Sequence, residues 1–335
     1  MSSNYNDIKP VDQLKNILLQ LGLLLDEFEK QQPQKVQVNC PFCNSNKSTT
    51  AFAYKSYIYR TCGQCQSLYL SPRITRQWLG KYYSFMHERI CFEIPQSHRQ
   101  ARIDNIMRPR WDLLTKKLTP YIKHFPVKRY MEVGPGVGYF TEVAQQNNYA
   151  EQYILVEPDK HCHKYLRELK GATVLFDGLL EDCNIDDHGK IDIIFINSVI
   201  EHPYSLNVFF DKLRSLLNHH GTIVLIDMYS QGFDIEILRE KTPNVNPYSI
   251  LQVGSIEGIK TLCLNNGLLM KDVFSIGKMD IDILFEYSKQ LPHDHPLKGF
   301  ENILANREVR SDLQDVLAKH LLTGYNGYII QKREK

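Results

Sequence analysis

Arg129-Tyr-Met-Glu-Val-Gly-Pro-Gly-Val-Gly-Tyr-Phe140 is an apolar strand running into Glu132 and then into three alternating glycines. Lacking side chains, Gly134, Gly136 and Gly138 let backbone N–H groups approach a ligand, and a helix starting there would aim its positive end at the same place. The spacing separates two kinds of cofactor. A dinucleotide fingerprint, G-x-G-x-x-G, would put its third glycine at 139, where Tyr139 stands. Gly138 makes the pattern G-x-G-x-G instead, and an acid at 132 would repel a pyrophosphate.

The segment resembles the first motif of the class I S-adenosylmethionine-dependent methyltransferases. That cofactor carries no phosphate, and its sulfonium and ammonium groups suit a carboxylate at Glu132. The resemblance implies an α/β fold with a Rossmann-like seven-stranded sheet, helices on both faces and a seventh strand returning antiparallel. The downstream residues agree. Gln152-Tyr-Ile-Leu-Val-Glu157 is a second apolar strand ending in a carboxylate, at the distance along the chain where this fold places an acid on the ribose hydroxyls. A third strand over 172–176 ends at Asp177, the acid expected near the adenine amine. A fourth, Ile191-Asp-Ile-Ile-Phe-Ile196, leads into Asn197-Ser-Val-Ile-Glu-His-Pro203, similar to the family's segment ending in Glu-His. Residues 221–227 read as the fifth strand. Expected cofactor residues are therefore Glu132, Gly134, Gly136, Gly138, Glu157, Asp177 and Asn197, all at the ends of strands where open parallel sheets bind ligands.

Upstream, Cys40-Pro-Phe-Cys43 and Cys62-Gly-Gln-Cys65 form two C-x-x-C knuckles with eighteen residues between them. This spacing suits a tetrahedral zinc ion held by Cys40, Cys43, Cys62 and Cys65, a closed and therefore structural site. Disulfides and a rubredoxin-like iron site are the alternatives. Cys91, Cys162, Cys183 and Cys263 have no paired spacing and read as ordinary thiols. A zinc ribbon followed by a helical linker and a methyltransferase domain is similar to sugar C-methyltransferases and related tailoring enzymes.

The whole chain of 335 residues has a formal charge of +2, which conceals a partition. Residues 35–129 carry seventeen Lys and Arg against four Asp and Glu, so a basic module precedes an acidic remainder. A basic surface concentrates anionic ligands, either a small phosphate-bearing substrate or nucleic acid. The apolar run 17–25 is too short to cross a membrane and no cleavage site follows it, which points to a cytoplasmic setting. Leu14, Leu18, Leu21, Leu25 and Phe28 share one helical face, expected to pack on a partner or on the chain's own domain.

The expected organisation is an N-terminal helix in 1–34, the ribbon in 35–75, a helical linker in 76–126 and the methyltransferase domain in 127–335, with a helical insertion over 278–324 before the last strand. That insertion departs from the family pattern and could cap the substrate site or form a homodimer contact. Methyl transfer from a sulfonium needs alignment of nucleophile and methyl, and a base where the nucleophile carries a proton. His202 is the expected base, with Glu201 orienting it or meeting the substrate; both could instead support the cofactor loop. Tyr139 and Tyr204 are candidates to line the pocket, and His161, His163, His219 and His220 read as surface histidines. The favoured reading is a methyltransferase acting on a small, anionic or sugar-like metabolite. An RNA methyltransferase and a non-catalytic S-adenosylmethionine-binding regulator are the alternatives.

Overall fold

The computed structural model describes residues 11–87, 96–122, 124–171, 173–184, 188–242, 244–245, 247 and 249–333. Cys91, Ala172 and the side chains of Leu14 and Leu18 lie outside the described residues. The first element among the described residues is a helix, Val11–Glu29, followed by a set of short strands: β1 (Lys35–Val36), β2 (Ser48–Tyr54), β3 (Tyr57–Cys62), β4 (Leu68–Leu70) and β5 (Arg73–Ile74). β2, β3 and β4 form an antiparallel sheet, and β1 pairs with β5.

The central sheet contains β6 (Val127–Val133), β7 (Ala150–Val156), β8 (Thr173–Phe176), β9 (Ile191–Asn197), β10 (Leu217–Met228), β12 (Leu268–Ser275) and β13 (Tyr325–Lys332), while β11 (Gln252–Val253) lies elsewhere. Their order is β8-β7-β6-β9-β10-β13-β12. The first five run parallel, and β13 lies antiparallel between β10 and β12. This is the seven-stranded methyltransferase topology, with the last strand inserted as expected. β10 begins four residues before the expected 221, because Leu217 pairs with Ile191 ahead of an irregularity that ends at Thr222.

Alternation along the strands splits the interior into two cores. Met131, Val133, Ile154, Ile194, Ile196, Leu225 and Ile330 face helices Leu206–Leu216 and Ile256–Asn265. Tyr130, Tyr153, Phe195, Val224 and Ile329 face helices Tyr139–Gln146 and Arg108–Leu118. Strands covered on both faces are near-continuous apolar runs, which is why 191–196 and 223–226 contain so few polar residues. Trp111, Leu114 and Leu118 are buried in the second core, so the last helix of the expected linker packs as a layer on the central sheet.

The ribbon is not a separate bead either. β11, from the methyltransferase half, pairs with β4 and completes a four-stranded sheet, β11-β4-β3-β2. Phe42 and Tyr69 share a core with Ile259 and Leu262. Among the helical positions expected to share a face, Leu25 and Phe28 are buried and Leu21 packs beside them, against Trp78, Tyr82 and Phe85 of the helix Arg76–His87. That face therefore meets its own chain. The insertion forms helices Asp280–Ser288, Gly299–Leu304 and Arg307–Lys319, whose Ile281, Leu284, Leu304 and Leu317 bury a small core with Leu238.

Candidate active site

The bend after β6 uses its glycines for two different purposes. All three have positive φ, at +66° for Gly134, +56° for Gly136 and +80° for Gly138, a region closed to most side chains. A Cβ on Gly134 would stand 2.6 Å from Val199 Cγ2, and one on Gly138 2.9 Å from Leu166 Cδ2, so these two serve close packing. A Cβ on Gly136 would meet nothing within 4 Å among the described residues. Open space at that residue is what a cradle for a ligand requires.

Glu157 follows β7 and points back to this bend. Its Oε2 accepts the Gly136 N–H at 2.8 Å and its Oε1 accepts the Asp159 N–H at 2.9 Å. Burial raises its carboxyl, and the two N–H bonds oppose the rise. His163 holds the same turn from beneath, donating from Nε2 to the Glu157 carbonyl oxygen at 2.8 Å. His163 is buried, which corrects the expectation of a surface histidine; one turn of helix brings it under the strand end.

Glu132 lies below the loop, 2% exposed, on the same side of β6 as Tyr130. The Thr141 hydroxyl donates to its Oε2, as does that of Tyr130 at 3.3 Å. Burial, with the nearby Glu157 carboxylate adding to it, pushes its pKa up to about 7. The two acids therefore share one electrostatic environment around the bend. Asn197 ends β9, and its buried Oδ1 has no partner among the described residues. Asp177 stands differently. It is half exposed after β8, 3.6 Å from Lys160 Nζ.

Beyond β9 the backbone turns at Ser198 (φ 56°) into the Glu201-His202 segment. Glu201 is buried beside Asp227 of β10; its Oε2 has no hydrogen-bond partner among the described residues. Asp227 accepts from Val199, Ile200 and Met228 backbone N–H groups at 3.3, 3.1 and 2.7 Å. Burial raises both carboxyls, Glu201 to about 7, so this pair retains a proton near neutrality.

His202 Nδ1 lies 2.9 Å from the Ser249 carbonyl oxygen. A carbonyl only accepts, so Nδ1 carries the proton and Nε2 presents its lone pair. Burial lowers the His202 pKa, opposed by the Ser249 bond and by Asp227 and Glu157. Its Nε2 is 4.0 Å from Glu201 Oε1, too far for a hydrogen bond, and the side chain remains 39% exposed. Tyr204 has Arg73 over its ring, 4.5 Å away, and so belongs to the contact between ribbon and domain.

Three groups around the cradle lie outside the expected site residues. Arg99 donates to the Val137 carbonyl oxygen at 2.8 Å and pairs with Glu142, tying the preceding helix to the glycine bend. Asp227 could have been read as one more acid at a strand end. Ser249, which acts through its backbone, has no side-chain signature.

With topology and cradle in place, family comparison has a specific object. The methyltransferase-domain family matches residues 99–270, from the helix that grips the glycine bend to the start of β12. The chain belongs to that family. It is an S-adenosylmethionine-dependent methyltransferase, and the match begins where the helical layer over the sheet begins. Similar solved structures include phosphoethanolamine N-methyltransferase 2 from Haemonchus contortus, bound to phosphomonomethylethanolamine and S-adenosylhomocysteine. It shares 12% identity over 67% of this chain and 53% of that one, with a TM-score of 0.44. An O-methyltransferase from a trans-AT polyketide synthase of Brevibacillus brevis, bound to S-adenosylhomocysteine, shares 15% over 71% and 76%, with a TM-score of 0.43. A search of curated proteins finds no match.

The four knuckle cysteines converge. Cys40 and Cys65 sulfurs are 3.6 Å apart, Cys43 and Cys62 3.5 Å, and all four lie within 4.8 Å of one another. A disulfide needs about 2.05 Å, whereas sulfurs at tetrahedral zinc distance, about 2.3 Å from a centre, stand roughly 3.8 Å apart. The donor set fits zinc. Among the described residues no helix is long and apolar enough to cross a membrane.

Proposed function

We propose that this methyltransferase acts on a small metabolite, anionic or sugar-like, with His202 as the base that takes the acceptor's proton. When bound, S-adenosylmethionine supplies a methyl group on a positively charged sulfur. In this reading Glu157 holds the ribose hydroxyls, Gly136 gives the cofactor room, and Asn197 offers its unpaired Oδ1 to a donor. Asp177, at the rim, serves the adenine end. Glu132 supports the bend and places negative charge beneath a cationic ligand. Zinc at Cys40, Cys43, Cys62 and Cys65 is structural, and cysteines that ligate a metal in place of forming disulfides suit a reducing, cytoplasmic compartment.

The observation that carries the base assignment is the Nδ1–H bond to Ser249, because it leaves Nε2 able to accept a proton on a half-exposed side chain. A small acceptor is favoured over RNA because several cations of the basic module are spent on internal carboxylates. Arg99 pairs with Glu142, Arg108 with Asp104 at 3.0 Å, and Lys117 with Asp272 at 3.2 Å. The deciding experiment is a transfer screen with isotope-labelled methyl donor over sugars, nucleotide-linked sugars, other small metabolites and RNA. Label entering a small acceptor is expected; label entering only RNA would replace this reading with the nucleic-acid one.

A further inference from the structure

The helical run before β6 contains a break in its periodicity. Residues Ile103–Met107 form a π-helical turn between helices Gln96–Arg102 and Arg108–Leu118. In an uninterrupted α-helix, side chains eight positions apart are offset by roughly 80° around the axis. The wider π turn takes up the extra residue and reduces that offset, bringing positions 102 and 110 towards one face.

These two positions are both arginine, and their neighbours in the run differ from them. Arg99 and Arg108 each have a carboxylate partner. Among the described residues neither Arg102 nor Arg110 has a carboxylate partner; Arg102 Nε is sealed from solvent without an acceptor, and the rest of its guanidinium faces the neutral Tyr139 hydroxyl. Each instead lies against a tyrosine at the ligand-binding end of the sheet. Arg102 is 5.6 Å from the Tyr139 ring, directly after Gly138, and Arg110 is 5.8 Å from the Tyr325 ring. Tyr325 pairs with Met228 at the ligand-binding end of the sheet, near Glu201 and Asp227. Burial disfavours the charge on Arg110, and Arg102 repels it; Asp280 attracts it, but the oxygens of Asp280 are already held by Gly324 and Gln314. Two neighbouring guanidinium groups, partly desolvated and without an anion, are costly unless a ligand brings one.

We infer that Arg102 and Arg110 form a seat for an oxyanion, phosphate or carboxylate, carried by the methyl acceptor. This rests on the cofactor reading above, since the seat is placed by Tyr139, which Arg102 lies against and which directly follows the glycine bend. Guanidinium forks match the oxygens of either group and give charge-assisted bonds. Tyr139 and Tyr325 hold the two forks from behind.

The test is calorimetric titration of inorganic phosphate and of malonate into the protein saturated with S-adenosylhomocysteine. At least one of these anions is expected to bind, with a dissociation constant of about a millimolar. Arg110→Gln should weaken it about tenfold and Arg110→Lys by less, because a point charge lacks the fork. Affinity for S-adenosylhomocysteine should be unchanged in both variants, which also shows that they fold. Preference for phosphate or for malonate identifies the acceptor's group. No binding of either anion to the saturated wild-type protein would overturn the seat. So would loss of S-adenosylhomocysteine affinity in Arg102→Gln or Arg110→Gln, which would put the guanidinium on the cofactor's own carboxylate. Failure of the wild-type protein to bind S-adenosylhomocysteine would refute the cofactor reading instead.

Discussion

The Glu157 carboxylate accepts the Gly136 backbone N–H at 2.8 Å, so the acid expected on the ribose is already tied to the loop that would surround it. Its removal should act on the cofactor twice, through a lost ligand and through a loosened bend. Glu157→Ala is expected to lower S-adenosylhomocysteine affinity by about 10- to 100-fold, the worth of one or two bonds to a charged group. Asp177→Ala, at an exposed position beside Lys160, should cost less. Calorimetry on the two variants checks the order, and a larger loss in Asp177→Ala would reverse the assignment.

His202→Gln should reduce turnover by about a hundred- to ten-thousandfold while leaving cofactor affinity intact. The base works only when neutral, and burial lowers its pKa below the usual 6.5. The acid limb of kcat/KM should therefore lie below pH 6.5 and disappear in the variant. A limb that persists unchanged would assign it to another group.

Glu132 makes stability depend on pH. Its folded pKa, about 7, lies above the usual 4.5, so between those values the folded protein holds a proton that the unfolded chain has released. The stabilisation is complete below the unfolded value and is lost as pH rises through 7, on the order of 3 kcal/mol in all. Glu132→Gln retains an acceptor for Thr141 but cannot ionise. Denaturant melts at pH 5 and pH 8 should show a smaller difference for the variant than for the wild-type protein, and equal differences would contradict the shift.

Cys62→Ser should lower the melting temperature of the whole protein, not of a detachable ribbon. Ser255 N–H donates to Ser67 Oγ at 3.1 Å, and the Ser255 hydroxyl donates to the Cys65 carbonyl oxygen. Metal analysis of the wild-type protein should return one zinc per chain, and calorimetric scanning of the variant a single transition at lower temperature. Two separate transitions, the upper one unshifted, would show that the ribbon melts alone.

Much of this site was readable because its residues sit where strands end. Glu157, Asn197 and the Glu201-His202 pair each follow an apolar run, and the first polar residue after such a run marks the end of a strand buried on both faces. The four cysteines were readable from spacing alone. The π turn at 103–107 was not, since its extra residue breaks no compositional rule. Nor was the role of Ser249, which acts through a carbonyl, or the burial of His163, which depends on how a single helical turn folds under β7. The pairing of β11 with β4 joins residues far apart in sequence through two short apolar stretches, and nothing local marks either as the other's partner.

That last pairing governs the order in which the protein can mature. The strand that closes the cysteine-bearing sheet leaves the ribosome long after the cysteines themselves, so the N-terminal module waits, one edge open, until most of the catalytic half has been synthesised. An uncapped edge is a site for misassociation with other nascent chains. Early metal capture would hold the waiting piece in register until its missing strand arrives.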